Sequence, residues 1–367
     1  MKSVWPIGRV MGIVVGVDYS WLIIFALITW TLVNSYFPQH FPGWPFWLYW
    51  GVGLVASLVF FSSVLAHELA HSWMALRRGM EVQSITLFIF GGLARIAEEP
   101  GDPLTEFLMA LAGPLSSFIL AATFGLLWLL TRWISEPLGA FAQYLAVVNG
   151  GLGTLNLMPG FPLDGGRVLR SILWGLSGDL KGATRWASYA GQGVALLLIV
   201  WGLSQAFSRL LNGLWLIFIG WFLHDAARAS YRQFLIREAL QEVRVRDLMT
   251  RSYPTVEPRL SLAEVMDDYV LGSAHHAFPV VEGELLRGLI CLHDIRAVPR
   301  AQWGETTVAQ AMTPFEVLET VSPEDDGSQV LRRLSARDVG QLPVVEEGRL
   351  VGLLRRSDVI RFLRSHT

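Results

Sequence analysis

From Gly51 to Ala66 the chain carries no charged residue, and within the next five positions it places His67, Glu68 and His71. A run of that polarity reads as a membrane span, where an ionisable side chain is costly and marks a functional site by default. Charge resumes only at Arg77, ten residues beyond His67. At 1.5 Å per helical residue the imidazole lies about 15 Å inside the apolar layer. That is near the middle of a hydrocarbon core about 30 Å thick, and nearer its border if the helix tilts.

The rest of the chain supports a bilayer as solvent. Of 367 residues 52% are hydrophobic and only 16% charged, against about 25% charged in an ordinary soluble domain. Six apolar segments are long enough to span, or nearly so: Met11–Tyr36, Phe46–Leu76, Leu104–Thr131, Leu138–Met158, Trp186–Phe207 and Leu210–Ala226. Almost every Lys and Arg between them falls on one side, including Lys2, Arg9, Arg77, Arg167 and Arg228, with only Arg132 and Arg209 on the other. The positive-inside rule then makes both termini cytoplasmic. The composition turns soluble near Glu238, so residues 1–232 are expected as the membrane domain, 233–243 as a linker, and the remainder as a soluble module. A net charge of −2 without a basic cluster points to no nucleic-acid partner. The lone Cys291 excludes an intrachain disulfide.

One segment departs from the helical pattern. Glu81–Arg95, "EVQSITLFIFGGLAR", is too short to span, rich in β-branched and aromatic residues, and closes on Gly91-Gly92. It reads as a strand or tight hairpin, either in a cytoplasmic loop or partly embedded where protein covers it.

His67 and His71 stand four apart, one turn along the same helical face. Two imidazoles so placed can share a zinc ion, and Glu68 can reach the metal's open position as general base. A zinc hydrolase needs a third ligand, and the second span offers none. The run "TLNLMPGFPLDGGRVLRS" supplies a candidate in Asp164. Pro159 and Pro162 stop the preceding helix, and Gly165-Gly166 permits a sharp turn after the carboxylate. Alone, Asp164 would be an ordinary loop aspartate; beside an incomplete metal motif it becomes the expected ligand.

These stretches together resemble the site-2 protease family of intramembrane zinc metalloproteases. The matching residues are "HELAH" (His67–His71), "NLMPGFPLDGG" (Asn156–Gly166), "GGLARI" (Gly91–Ile96) and "ALAGPLSSF" (Ala110–Phe118), within residues 8–230. The resemblance implies His67, His71 and Asp164 as ligands of one zinc per chain and Glu68 as catalytic base. It also implies that Asn156 lies near the site, where its amide could hold a substrate carbonyl or oxyanion; Asn149 is a weaker candidate of the same kind, with an interhelical hydrogen bond as the plain alternative. A reaching protease must expose a scissile bond, and an embedded strand with a free edge could pair with an unwound substrate. Where the family commonly has a His after its "GIPV" stretch, this chain has Asp18 in "GIVVGVDYSW".

The soluble module repeats itself. "DLMT" (Asp247–Thr250) returns as "QAMT" (Gln310–Thr313) 63 residues on, and "FPVVEGELLRGLICLHDI" (Phe278–Ile295) returns as "LPVVEEGRLVGLLRRSDV" (Leu342–Val359) 64 residues on. The repeats, 244–300 and 301–367, resemble a tandem pair of cystathionine-β-synthase (CBS) domains, α/β modules that often pair and often bind adenine nucleotides. The resemblance implies Asp294 and Asp358 as ribose-binding positions. The hydroxyl residue usual three positions earlier is replaced by Cys291 and Arg355, which leaves a dimerising module as open as a nucleotide sensor.

The expected architecture is therefore a polytopic α-helical membrane protein of about six spans, with a short β segment near the active site and a cytoplasmic α/β tandem CBS module. The expected activity is zinc-dependent hydrolysis of a peptide bond in or near a transmembrane segment of a membrane-anchored protein substrate. The CBS pair would regulate it or mediate homodimer formation, in a prokaryotic cell membrane. Two other classes remain as alternatives: a CBS-gated transporter or channel whose His and Asp residues line an ion path, and a catalytically silent scaffold.

Overall fold

The computed structural model describes residues 4–89, 91–96, 99–241, 243–271, 275, 277–327, 330, 333–334 and 341–366. The chain divides into two compact units, Met1–Tyr231 and Arg232–Thr367.

The first unit opens with a hairpin where the hydropathy pattern suggested the start of a span. Strands β1 (Val4–Val10) and β2 (Ile13–Asp18) pair antiparallel around Met11-Gly12. Both turn residues have positive φ, 53° and 81°, as a two-residue hairpin loop of matching twist requires. A continuous apolar run does not by itself separate a buried strand from a helix, and here the strand wins because its face is covered. Ile13, Val15 and Val17 are buried. Asp18 ends the strand and caps the first helix, its carboxylate accepting from the Ser20 amide at 2.9 Å.

Five helices among the described residues are long and apolar enough to cross a membrane: Tyr19–His40, Phe46–Arg77, Pro103–Thr131, Leu180–Ala206 and Leu210–Leu240. The first is α1 (Tyr19–Thr31) continued through a π-helical turn into α2 (Phe37–His40); the others are α3 (Phe46–Arg77), α4 (Pro103–Thr131), α7 (Leu180–Ala206) and α8 (Leu210–Gln241). The fourth expected span, Leu138–Met158, forms α5 (Glu136–Asn156), which is long enough but less apolar. Its glycines and Asn149 dilute the hydropathy, and it packs on α3 and α4, where Asn149 is buried.

The segment Glu81–Arg95 is a hairpin, β3 (Val82–Phe88) with β4 (Gly91–Ile96). It joins the amino-terminal hairpin in one sheet of order β1-β2-β3-β4. The β2–β3 pair is parallel, so its connection must cross over; the crossover is made of α1, α2 and α3. Among the described residues β3 is paired on both sides and β4 on one. The sheet sits against α3 and α4 through Ile13, Val82, Ile85, Ala75 and Met109.

The turn around Asp164 differs from expectation. The carboxylate does not close a helix before a glycine bend; it opens α6 (Asp164–Ser177). The bend lies before it, at 157–163, and the glycines are needed for room. A Cβ on Gly165 would meet the carbonyl oxygens of Leu157 and Met158 at 2.3 Å.

In the second unit each repeat contributes a hairpin: β5 (Ala277–Glu282) with β6 (Leu285–Cys291), and β8 (Gln341–Glu346) with β9 (Arg349–Arg355). The two hairpins share a register, Phe278↔Ile290 and Leu342↔Leu354, and the same irregularity, at Val280/Val281 and Val344/Val345. They also exchange segments. The short strand β7 (Thr313–Pro314) follows Met312 and pairs with β6, while Thr250, after Met249, bridges Leu353 on β9. A Cβ on Gly352 would strike Met249 Sδ at 2.4 Å, and one on Gly288 would strike Met312 Sδ at 2.8 Å. Each repeat thus seats its methionine on the other's glycine.

Residues 233–243, expected as a linker, are helical to Gln241. Leu240 is fully buried with Val245, Leu248, Val330 and Leu354, so the helix end is part of the second core. Leu240→Ala should cost about 2–5 kcal/mol. Hydrogen exchange of the full-length protein should show β8 and β9 opening more readily, with the first unit's sheet unchanged.

Candidate functional site

Helix α3 carries His67 and Glu68 one turn before His71, and both imidazoles are buried, 3% and 6% exposed. Asp164, on α6, meets them. Its Oδ2 lies 3.1 Å from His67 Nε2 and 3.1 Å from His71 Nε2, and the two Nε2 atoms are 3.2 Å apart. These three side chains form the group of potential metal ligands found among the described residues.

Helix α4 fixes the rings from behind. His71 Nδ1 donates to the Met109 carbonyl at 2.6 Å. A carbonyl only accepts, so the neutral ring's lone pair is on Nε2, aimed at Asp164. His67 Nδ1 pairs with Ser117 Oγ at 2.9 Å. Between Met109 and Ser117, Gly113 leaves the space the imidazole tips occupy: a Cβ there would lie 2.2 Å from His71 Nε2 and 2.6 Å from His67 Nε2. Such outer partners set the tautomer and direction of a ligating histidine.

Two lone pairs and a carboxylate at these separations repel unless a cation sits among them. A tetrahedral zinc with bonds near 2.0–2.1 Å sets its ligand atoms about 3.3 Å apart. The observed triangle and its N, N, O donor set fit that ion.

Glu68 points to the neighbouring side, toward β4. The Ala94 amide interacts with its carboxylate, and a Cβ on Gly92 would lie 2.3 Å from Glu68 Cγ. The bare backbone of β4 therefore runs directly along the glutamate. Nothing in the spacing of Gly92, Met109, Gly113 or Ser117 announces a role at the site, because the glycines act by absence of bulk, Met109 through its carbonyl, and Ser117 through one hydroxyl among several in its helix.

The remaining expected residues are placed as follows. Asn156 ends α5, half-buried, eight residues before Asp164. Asn149 is fully buried, but its amide donates to Leu145 of its own helix at 2.8 Å, not to a neighbouring helix. In the second unit Asp294 accepts from the Cys291 amide at 2.8 Å, capping its own helix, Leu292–Ala297. Asp358 does the same for Arg356–His366, accepting from the Arg355 amide at 3.2 Å. The Arg355 guanidinium then covers both oxygens of Asp358, at 3.0 and 3.2 Å. Burial, with the Asp294 carboxylate beside it, pushes the Cys291 thiol up to about 11. That keeps it an unreactive thiol near neutral pH.

Known proteins give these arrangements a family. The profile of peptidase family M50 matches residues 55–135 and 131–200, and that of the CBS domain matches 245–300 and 308–365. Along 99% of its length the chain is 37% identical to Rip3 of Mycobacterium tuberculosis, which carries the name of a zinc metalloprotease and is covered over 93% of its own length. The chain belongs to peptidase family M50. This is the site-2 protease family of the sequence resemblance, joined here to a tandem CBS pair. The protein sll0528 of Synechocystis, named likewise, is 35% identical over 98% of this chain and 95% of that one. Among solved structures, the site-2 protease from Methanocaldococcus jannaschii aligns at 25% identity with a TM-score of 0.42, covering 62% of this chain and 95% of that chain.

Gly113→Ala tests the packing behind the ligands. The added methyl should force the imidazoles off their mutual point and lower bound metal per purified chain at least tenfold, a loss measured by elemental analysis after dialysis.

Proposed function

We propose that the chain is an intramembrane zinc endopeptidase that hydrolyses a peptide bond in or near a transmembrane segment of a membrane-anchored protein. The observation that carries this reading is the buried convergence of His67, His71 and Asp164 with Glu68 beside it. In this reading the three converging residues hold zinc, which supplies a Lewis acid and lowers the pKa of a water to about 7. Glu68 takes the proton of the attacking water and returns it to the departing amine. Its half-buried position against bare β4 backbone keeps the carboxylate directed. Asn156, at the end of α5, is the candidate donor to the carbonyl oxygen as negative charge develops there.

The substrate track is the open edge of β4. β3 is closed on both sides, so strand addition is available at Gly91–Ile96, the strand that faces Glu68. An unwound substrate segment laid there would present its peptide carbonyls to the site one strand-width away.

The second unit is read as the regulatory or dimerising module, cytoplasmic by the charge bias of the loops. A cleft of about 240 Å³ is lined by Asp247–Thr250, Asp358, Arg361 and Phe362. An adenine nucleotide entering it would have to displace Arg355 from Asp358. Equilibrium dialysis with AMP or ATP decides between a sensor and a purely dimerising pair.

The protease reading is tested first on metal and cleavage together. Wild type in detergent should hold about one zinc per chain. Glu68→Gln should keep that zinc and lose at least a hundredfold in cleavage of a membrane-anchored reporter; Asp164→Ala should lose zinc. A metal-free wild type sinks the reading and returns the His–Glu–His face to an ion path. The track is tested by cross-linking in a Glu68→Gln, Cys291→Ser background. With Leu93→Cys on β4 and cysteines walked along the substrate, cross-links should recur at every second position; recurrence every three to four positions would mean a helical substrate and end the strand proposal.

A further inference from the structure

The site contains a buried charge pair that neither the metal nor the catalytic base requires. Glu106, in the first turn of α4, is fully buried, and Arg170, in the second turn of α6, is 7% exposed. Arg170 Nε donates to Glu106 Oε1 at 2.7 Å, and its Nη2 engages the same oxygen. Arg167 Nε stands 3.8 Å from that oxygen. The other oxygen, Oε2, is buried without a hydrogen-bond partner among the described residues. Burying two charges is unfavourable unless their geometry is good, and apolar replacements are often at least as stable. An ion pair with one unsatisfied oxygen is therefore a poor choice for stability alone.

Its placement supplies the reason. Glu106 lies three residues before Met109, the residue whose carbonyl holds His71. One turn of α4, about 4.5 Å of rise, thus separates the anchor of a histidine from the anchor of α6. Arg170 lies six residues after Asp164 on that helix, and its guanidinium also sits over the ring of Phe161, three residues before Asp164, at 5.4 Å. Phe161 is tied in turn to α7, its amide donating to the Ala187 carbonyl at 3.2 Å. One arginine therefore grips the chain on both sides of Asp164, and one glutamate refers that grip to the helix that aims the imidazoles.

We propose that Glu106 and Arg170 are positioning residues: their pair locks α6 on α4 at the register where the Asp164 carboxylate meets His67 and His71. The role rests on the metal reading of the site. It is exerted through Asp164 and not by contact with substrate.

The test separates register from stability. In full-length protein the double variant Glu106→Leu/Arg170→Met removes the charges and keeps most of the volume, and its unfolding temperature should stay near that of wild type. Zinc affinity, measured by competition with a chromophoric chelator, should fall about tenfold or more, the range seen when outer partners of a metal site are lost. With zinc saturating, kcat should fall while KM for the membrane substrate is unchanged. Arg170→Lys, which keeps a charge but not the planar fork, should also hold zinc more weakly than its unfolding temperature predicts. Thr29→Ala, which breaks a buried hydrogen bond to Ser57 in another helix pair, serves as a stability control and should leave zinc affinity unchanged. If zinc affinity across the set simply follows unfolding temperature, or the double variant binds zinc and turns over as wild type does, the pair is structural and the proposal falls. Wild-type zinc content is read first, so failure of the metal reading is seen separately from failure of the clamp.

Discussion

Two imidazole nitrogens and a carboxylate oxygen held 3.1–3.2 Å apart in a buried site are an electrostatic problem before they are a catalytic centre. Each is an acceptor when the rings are neutral with their other nitrogens engaged, and an unmet buried acceptor costs about 1–3 kcal/mol. The surrounding structure is arranged to hold them there. Helix α4 backs the rings with Met109, Gly113 and Ser117; α6 brings Asp164; and Gly92 of β4 leaves room for the Glu68 side chain. A divalent cation turns this mutual repulsion into mutual attraction, which makes the fold and the chemistry two views of one requirement.

Much of this was legible in the sequence, and for reasons that can be named. An uncharged run interrupted by His-Glu-x-x-His has few physical explanations, and Asp164, an ordinary loop aspartate by itself, becomes a candidate only because that motif lacks a third ligand. The 64-residue repeat fixed the second unit's hairpins, which share register and irregularity as duplicated sequence should. What escaped was whatever acts through backbone or through missing atoms. Met109 contributes a carbonyl, Gly113 and Gly92 contribute space, and no side-chain pattern encodes either. The first strands are hard to read because 13–18 is as apolar as the helix that follows, and one of the two partners that hold it extended, the parallel strand β3, lies more than sixty residues away. The bend at Asp164 was placed on the wrong side of the carboxylate because Gly-Gly was read as freedom to turn, whereas here it serves close approach.

The two carboxylates expected to meet a nucleotide illustrate a further ambiguity. Asp294 and Asp358 occupy the third position of their helices and satisfy the amide at the start, as an acidic residue there does in many helices. A capping role and a ligand role select the same residue at the same place. Arg355, which stands where the family usually has a hydroxyl, separates the two repeats: it covers Asp358, while the corresponding Cys291 leaves Asp294 with a half-buried, unreactive thiol for a neighbour.

The exchange of Met249 and Met312 between the repeats bears on how the chain is made. The ribosome delivers the first hairpin, β5–β6, before Met312 and the β7 segment that pairs with β6 have been synthesised. Met249 is made early and waits for Gly352, about a hundred residues downstream. Neither half can reach its final packing as it emerges, so the tandem pair matures only when nearly the whole chain is out. By then the spans that precede it have left the ribosome, and the last part of the protein to become rigid is the part furthest from the bilayer in sequence.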